Sequence, residues 1–216
     1  MGLSREGYQM ALAYLIGSPT QTLARSRLTP ICTLLHLSCR ALGDRLEIEL
    51  DAYGKSVEFS GLQFKPEFER FADFLKRRVE NGTLRIHWLP ELLDFELARN
   101  ELRSLPRRRL LAELAQRGPV KSAAAVALNP LVRIARFPCD STALIEALSN
   151  GELVSRAVMK PETYVLLSVL HVATPEVLPA DPVLGRLLWA LRCVGTFCGD
   201  AAQRAALLDM GALVTA

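Results

Sequence analysis

The side chains that could do chemistry are few and scattered. Three histidines, His36, His87 and His171, are isolated from one another, no two at helical spacing, and there is no Cys-x-x-Cys. A metal site built from one chain needs such clustered spacing, so none is expected here. The five cysteines, Cys32, Cys39, Cys139, Cys193 and Cys198, are odd in number and irregularly spaced. That fits reduced, mostly buried thiols better than a disulfide framework. Cys193 and Cys198, near a helix end, either bring their thiols together or are two separate buried cysteines. Cys139 follows Pro138 at the mouth of a helix capped by Ser141, where a thiolate would be stabilised. No histidine lies near it in sequence to act as base, so Cys139 is expected to be structural. Glu96 shares a helical face with Leu89, Leu92 and Leu93. Its carboxylate is then either a half-buried general base or the partner of an arginine, Arg99 or one from another helix. The glycines are scattered singly, and none opens a helix with Lys-Ser or Lys-Thr, as a phosphate-binding loop requires. The chain is therefore expected to be no enzyme in its own right, with no catalytic residue, metal ligand or cofactor.

The elements that carry these residues are read from periodicity and punctuation. With 216 residues, 50% apolar but only 6% aromatic, the chain can bury a core of Leu, Ala and Val, which points to helices. A net charge of +3 does not by itself call for nucleic acid or an anionic membrane. An apolar run at residues 10–17 resembles a signal-peptide core, but Glu6 lies upstream and a small-x-small cleavage site is missing. The run is also far short of the ~20 apolar residues that cross a membrane. A cytoplasmic, soluble protein is expected.

Helices are expected over Gly7–Ile16, Pro30–Arg40 with Thr29 as its cap, and Leu42–Tyr53 stopping at Gly54. In Pro66–Val79, Phe68, Phe71, Leu75 and Val79 form one stripe, ended by Asn81-Gly82. Leu89–Leu105 follows, then a basic break at Pro106-Arg107-Arg108-Arg109 and a short helical stretch closed by Gly118-Pro119. Beyond that point the texture changes. Residues 125–130 and 132–137 read as strands ended by Pro138, residues 141–149 as a capped helix, and residues 164–172 and 176–178 as strands. Helices Pro182–Phe197 and Ala201–Met210, capped by Asp181 and Asp200, finish the chain. A strand pair, a short strand and two helices joined by a Gly-containing turn outline a small winged-helix module. The expected fold class is thus α+β, mainly helical: a helical domain over residues 1–118, then a winged-helix-like domain over residues 119–216 with a short antiparallel sheet.

A winged helix raises a DNA-binding regulator as the alternative function. The last helix offers only Gln203 and Arg204 to a groove, whereas a recognition helix makes several base and phosphate contacts. The cluster Arg103, Arg107, Arg108 and Arg109 is the strongest charge feature, read either as a solvated linker or as a face for an acidic partner.

Four segments together resemble a known family. Trp88-Leu-Pro-Glu-Leu-Leu-Asp-Phe-Glu-Leu-Ala98 is an aromatic-Leu-x-acid-Leu-x-x-apolar-Glu-x-Ala helix. Leu128-Asn-Pro-Leu-Val-Arg-Ile-Ala-Arg-Phe-Pro138 is similar to a Leu-His-Pro-x-x-Arg strand pair, with Asn129 where that family often has His. Residues 162–172 and Leu187-Leu-Trp-Ala-Leu191 follow in the family's order. These segments resemble the partner proteins of triose-phosphate-isomerase-barrel, multinuclear-iron oxidases that modify cysteines in ribosomally made peptides, most of all the MbnC-like branch of methanobactin biosynthesis. The resemblance covers residues 85–216. It implies a heterodimer whose MbnB-like iron-dependent oxidase subunit holds the iron and converts cysteine to oxazolone and thioamide. This chain would be the non-catalytic subunit that recognises the leader of an MbnA-like precursor peptide. It further implies that Glu176, Val177 and Leu178, with Ala201, Arg204 and Leu208 of the last helix, line the peptide groove. Trp88, Arg103, Arg107, Arg108 and Arg109 would lie at the enzyme interface. No nucleic acid or membrane is expected as a partner.

Overall fold

The computed structural model describes residues 29–56, 66–116, 126–152, 154, 162–171 and 174–215. The described elements are mainly helical with a small antiparallel sheet region, an α+β protein. They fall into two compact units, one from Met1–Leu97 with Thr142–Val158, the other from Ala98–Ser141 with Met159–Ala216. The helix expected over Gly7–Ile16 and the junction expected near residue 118 lie outside the described residues.

In the first unit, residues 29–34 are helical, then α1 spans His36–Leu42, α2 Leu46–Ser56 and α3 Glu67–Glu80. Helix α4, Leu89–Ser104, contributes residues 89–97, and α6, Ser141–Asn150, contributes residues 142–150. The single helix expected over Pro30–Arg40 is broken at Leu35, whose φ of −112° and ψ of 42° leave the helical region. A restart strands N–H groups that have no partner one turn back. Glu96, only 1% exposed, meets that need: Leu37 N–H donates to Oε1 at 2.8 Å and Ser38 N–H to Oε2 at 2.9 Å. The side chain of His36 adds its Nδ1 at 3.3 Å from Oε1. The carboxylate expected to pair with an arginine thus caps a helix of its own unit, where the dipole favours negative charge.

A second break falls at Gly43, with φ of 53°, and α2 then runs straight through Gly54, where a stop was expected. Glu49 of α2, 0% exposed, accepts from Arg78 Nε of α3 at 3.0 Å. That pair joins α2 to α3 beside a cluster of Tyr53, Phe71 and Phe74 rings. Helix α3 ends, as expected, at Asn81 with Gly82 at φ of 70°. Its buried face is Phe71, Ala72, Phe74 and Leu75, while Phe68 and Val79 of the expected stripe are half-buried.

In the second unit, α5 spans Arg107–Gln116 and starts directly after Pro106, so the expected basic break is the first turn of a helix. Proline just before or at a helix start forfeits no bonded N–H. Two antiparallel sheets follow. One pairs β1, Val126–Leu128, with β5, Leu213–Thr215; the other has the order β2, Val132–Phe137, then β3, Thr163–Ser168, then β4, Glu176–Ala180. Strand β3 stops at Ser168, earlier than the expected 172, because the Leu170 N–H turns back onto the Ser168 hydroxyl at 3.2 Å. Strand β5 was not anticipated; three residues carry too little alternation to be seen.

Helix α7, Pro182–Val194, packs on β2 and β3, and α8, Ala201–Asp209, leads into β5. Asp181 caps α7, accepting from Val183 N–H at 2.9 Å and Leu184 N–H at 3.2 Å, and Gly195 at φ of 77° ends it. Asp200 and Gln203 form a reciprocal capping box on α8. The core between them holds Val132, Ile134, Tyr164, Leu166, Leu188, Leu191 and Leu207. Burying each leucine stabilises the fold by about 1.5–3 kcal/mol relative to exposure. Gly185 lets α7 lie directly on β3, since a Cβ there would stand 2.5 Å from the Tyr164 Cβ.

Replacing Glu96 tests the cap. Glu96→Ala leaves two buried N–H groups without their acceptor and should lower the unfolding free energy by roughly 2–4 kcal/mol in urea denaturation. Glu96→Gln, which keeps one acceptor, should recover only part of that loss.

Candidate functional site

Strand β4 is the outer strand of its sheet, and among the described residues it pairs with β3 alone. The register sets Leu178 opposite Leu166 and Val177 opposite Leu167. Whereas β3 is buried from Tyr164 to Ser168, Val177 is 38% and Leu178 46% exposed. Successive side chains of a strand point to opposite faces, so both faces of β4 carry an uncovered apolar side chain. Pro179 has no N–H and cannot donate to an added strand. The C-terminal end of β4 is pinned by Ala180, which packs on the core, and by the Asp181 cap that follows it.

The corner at which the chain leaves β3 toward β4 is held from three sides. Val169 N–H donates to Leu131 O at 3.1 Å. Arg107 donates from Nε to Val169 O at 2.6 Å and from Nη2 to Leu170 O at 3.0 Å. The turn between β1 and β2 is tied just as firmly by buried Asn129. Its side chain accepts from Leu131 N–H at 2.9 Å and donates to Gly211 O at 2.7 Å, and its own N–H donates to Ala212 O at 2.9 Å. Arg133 of β2 meets the Glu101 carboxylate with Nε at 3.1 Å and also reaches Pro130 O and Val132 O at 2.9 Å. The Arg133 hydrogen bond holds the Glu101 carboxyl below its ordinary range.

The residues expected at the peptide groove belong to this unit but to separate elements, a strand and a helix. Glu176, Val177 and Leu178 lie on β4, while Ala201, Arg204 and Leu208 lie on α8, whose neighbour is β5. Ala201 is exposed, Arg204 half-buried, and Leu208 packs on the core. The side chain of Gln203 is engaged in the capping box.

The four clustered arginines differ in their surroundings. Arg107 is half-buried on the β3 corner, Arg109 pairs with Glu113 at 2.8 Å, and Arg103 and Arg108 are exposed. Trp88, half-buried, belongs to the first unit, whereas the arginines belong to the second. Sequence reasoning treated the arginines as one surface and missed Arg107, Asn129 and Arg133 as braces. Asn-Pro before a strand did signal a turn, but a brace 62 residues distant, as Arg107 is from Val169, leaves no local mark.

Among the described residues no group of three or more His, Cys, Asp or Glu side chains is placed to hold a metal ion, and no helix is long and apolar enough to cross a membrane. Cys32, Cys39 and Cys139 are buried, while Cys193 and Cys198 are exposed, against the expectation of two buried thiols at the end of α7. Gly195 turns the chain out of the helix between them, away from core cover. Cys39 donates its S–H to Cys32, which draws Cys32 below its ordinary value and, with burial, drives Cys39 well above its own. Tyr164, buried under α7 with its O–H donated to Glu162, is pushed up to about 12, by burial first and by the carboxylate second. Compared with models of known families the chain matches none, and no curated protein matches it either.

Two measurements check this arrangement. In the native protein two of the five thiols, Cys193 and Cys198, should react at once with a thiol reagent, and the other three only on unfolding. Tyr164 should appear as a late tyrosinate step near pH 12 in an absorbance titration, absent in Tyr164→Phe. Because folding raises this pKa, its contribution to stability should be complete below pH 10 and lost as pH climbs from 10 to about 12.

Proposed function

We propose that this chain is the non-catalytic partner subunit of an iron-dependent peptide-modifying oxidase, acting in the cytoplasm in methanobactin biosynthesis. It binds the leader of the precursor peptide and stabilises the enzyme that converts cysteine to oxazolone and thioamide. The iron and the oxidation belong to the partner enzyme. The observation that carries the reading is the uncovered edge of β4, where Val177 and Leu178 are exposed beside a buried neighbouring strand. An extended peptide laid along such an edge gains backbone hydrogen bonds for affinity and side-chain contacts on both faces for specificity. Pro179 restricts the added ladder to the N-terminal part of β4, so recognition centres on Glu176, Val177 and Leu178. The run of strands followed by two capped helices in the second unit, and the resemblance of residues 85–216, support the same assignment. The alternative, a DNA-binding regulator, loses ground with Gln203 held in the capping box.

Co-expression with an MbnB-like iron oxidase and that enzyme's precursor peptide tests the proposal. The chain should co-purify with the oxidase, and the precursor should carry modified cysteine. A chain that elutes alone, as a monomer, beside unmodified precursor would sink it. Val177→Glu with Leu178→Glu, on exposed positions, should weaken leader binding by about tenfold or more while the complex with the enzyme persists.

A further inference from the structure

Hydrogen bonds around the sheet fix which way each backbone group of β4 points. In an antiparallel ladder the residues of a strand alternate, one turning both its N–H and its C=O to the neighbour on one side, the next to the other side. On β2, Val132 N–H donates to Asn129 O at 2.9 Å, Val132 O accepts from Arg133 Nη1 at 2.9 Å and Ile134 O accepts from Arg192 at 2.6 Å, so Val132 and Ile134 turn away from β3. Arg133 and Ala135 then bond Leu167 and Val165, an alternation continued by Val169 N–H, which donates to Leu131 O at 3.1 Å. Tyr164, Leu166 and Ser168 are left to face β4, where they meet Ala180, Leu178 and Glu176. Val177 and Pro179 therefore turn their backbone groups to the free edge. Pro179 suits that place for a reason of its own, since proline in a sheet sets its missing donor toward solvent.

The edge thus offers one donor, Val177 N–H, and two acceptors, Val177 O and Pro179 O, and among the described residues nothing else in the chain takes them. Pro175, just before the strand, adds no N–H. We infer that this count selects the occupant: β4 takes an extended peptide, laid antiparallel like the rest of the sheet, that brings N–H groups on two residues one position apart from each other, and it excludes a second copy of itself. The peptide's identity as a leader rests on the proposed function; the direction of the backbone groups and the exclusion of self-pairing do not. Two copies meeting antiparallel at Val177 exchange hydrogen bonds there, but each Pro179 O then faces Pro175 of the other copy, which has no N–H to give. A separate peptide satisfies both acceptors. Its residue opposite Val177 exchanges both backbone groups, and its residue opposite Pro179 donates an N–H. Proline at either of those two residues forfeits a bond, whereas the residue between them turns its N–H away from β4 and tolerates proline. The side chain of that middle residue lies beside Leu178, on the face that Tyr164 and Leu166 present to α7.

Hydrogen exchange of the full chain, followed amide by amide, reads the direction of the groups. Val177 should exchange about tenfold faster or more than Leu178 and Ala180, and equal protection would overturn the assignment. Sedimentation reads the exclusion of a second copy. Pro175→Ala with Pro179→Ala, which adds two N–H groups, should form a dimer at concentrations at which the wild type does not, with the Val177 amide newly protected in it. Adding Val177→Pro to that pair should abolish the dimer; if this triple variant fails to fold by circular dichroism, protection of the Val177 amide in the double variant decides alone. A double variant no more associated than the wild type, or a wild type that already dimerises with Val177 protected, would overturn the exclusion. For the occupant, the probe is the synthetic precursor leader, N-methylated at one residue at a time. Affinity should fall by about tenfold or more at two residues flanking a third, and hold when the third is methylated. Tight binding of every N-methylated leader would overturn the selection. A leader that does not bind at all, with Val177 fast to exchange and the double variant dimeric, would strike the proposed function alone.

Discussion

Backbone groups stranded where an element breaks must find partners, and in this protein buried and half-buried side chains supply them. Glu96 takes the two N–H groups left open by the break at Leu35. Asn129 satisfies the turn between β1 and β2 and the approach to β5 with one side chain. Arg107 takes the carbonyls where β3 ends. An unpaired buried N–H or C=O costs about 1–3 kcal/mol, a large share of the stability of a domain this size. Short elements joined by sharp turns are therefore possible here only because these polar side chains sit inside.

The same economy shapes the second unit. Its strands number three to six residues, too short to stand without a helix packed on them. Helix α7 provides that support, and Gly185 brings it close enough for Tyr164 to lie beneath it. Cover stops at β3. Strand β4 is left with an open edge, an arrangement that proteins normally blunt because free strands recruit other chains. Here the blunting is partial: Pro179 removes a donor from the C-terminal half, and Glu176 adds charge at the other end. What remains between them is a short apolar stretch, too limited for runaway pairing.

Charge is deployed in the same divided way. The arginines that look alike in the sequence separate into a brace, Arg107, a helix pair, Arg109 with Glu113, and two exposed guanidiniums, Arg103 and Arg108. Arg133 and Arg192 likewise reach backbone carbonyls, the latter, though exposed, donating to Ile134 O at 2.6 Å while stacked over Trp189. Several of the basic side chains of the second unit thus fasten the small sheet, and only a subset remains for another molecule.

Much of this protein was determined by the sequence itself. The α3 stripe with its Asn-Gly stop, the Asp181 and Asp200 caps, the strands before Pro138 and the mainly helical α+β class all follow from local rules, in which residues within a turn or two decide the outcome. The short strand expected at residues 176–178 was legible too, bounded by Pro175, and it extends to Ala180. Tertiary structure decided the rest. The kink at Leu35 depends on a carboxylate about sixty residues away in the chain, and no propensity at Leu35 announces it. Gly43, at φ of 53°, turns the chain, whereas the helix that carries Glu49 to Arg78 continues past Gly54 to Ser56. Strand β5 exists because β1 needs a partner, and the exposure of Cys193 and Cys198 follows from where α7 leaves the core. In each case a long-range hydrogen bond or the limit of a packed surface made the choice, and neither has a signature in neighbouring residues.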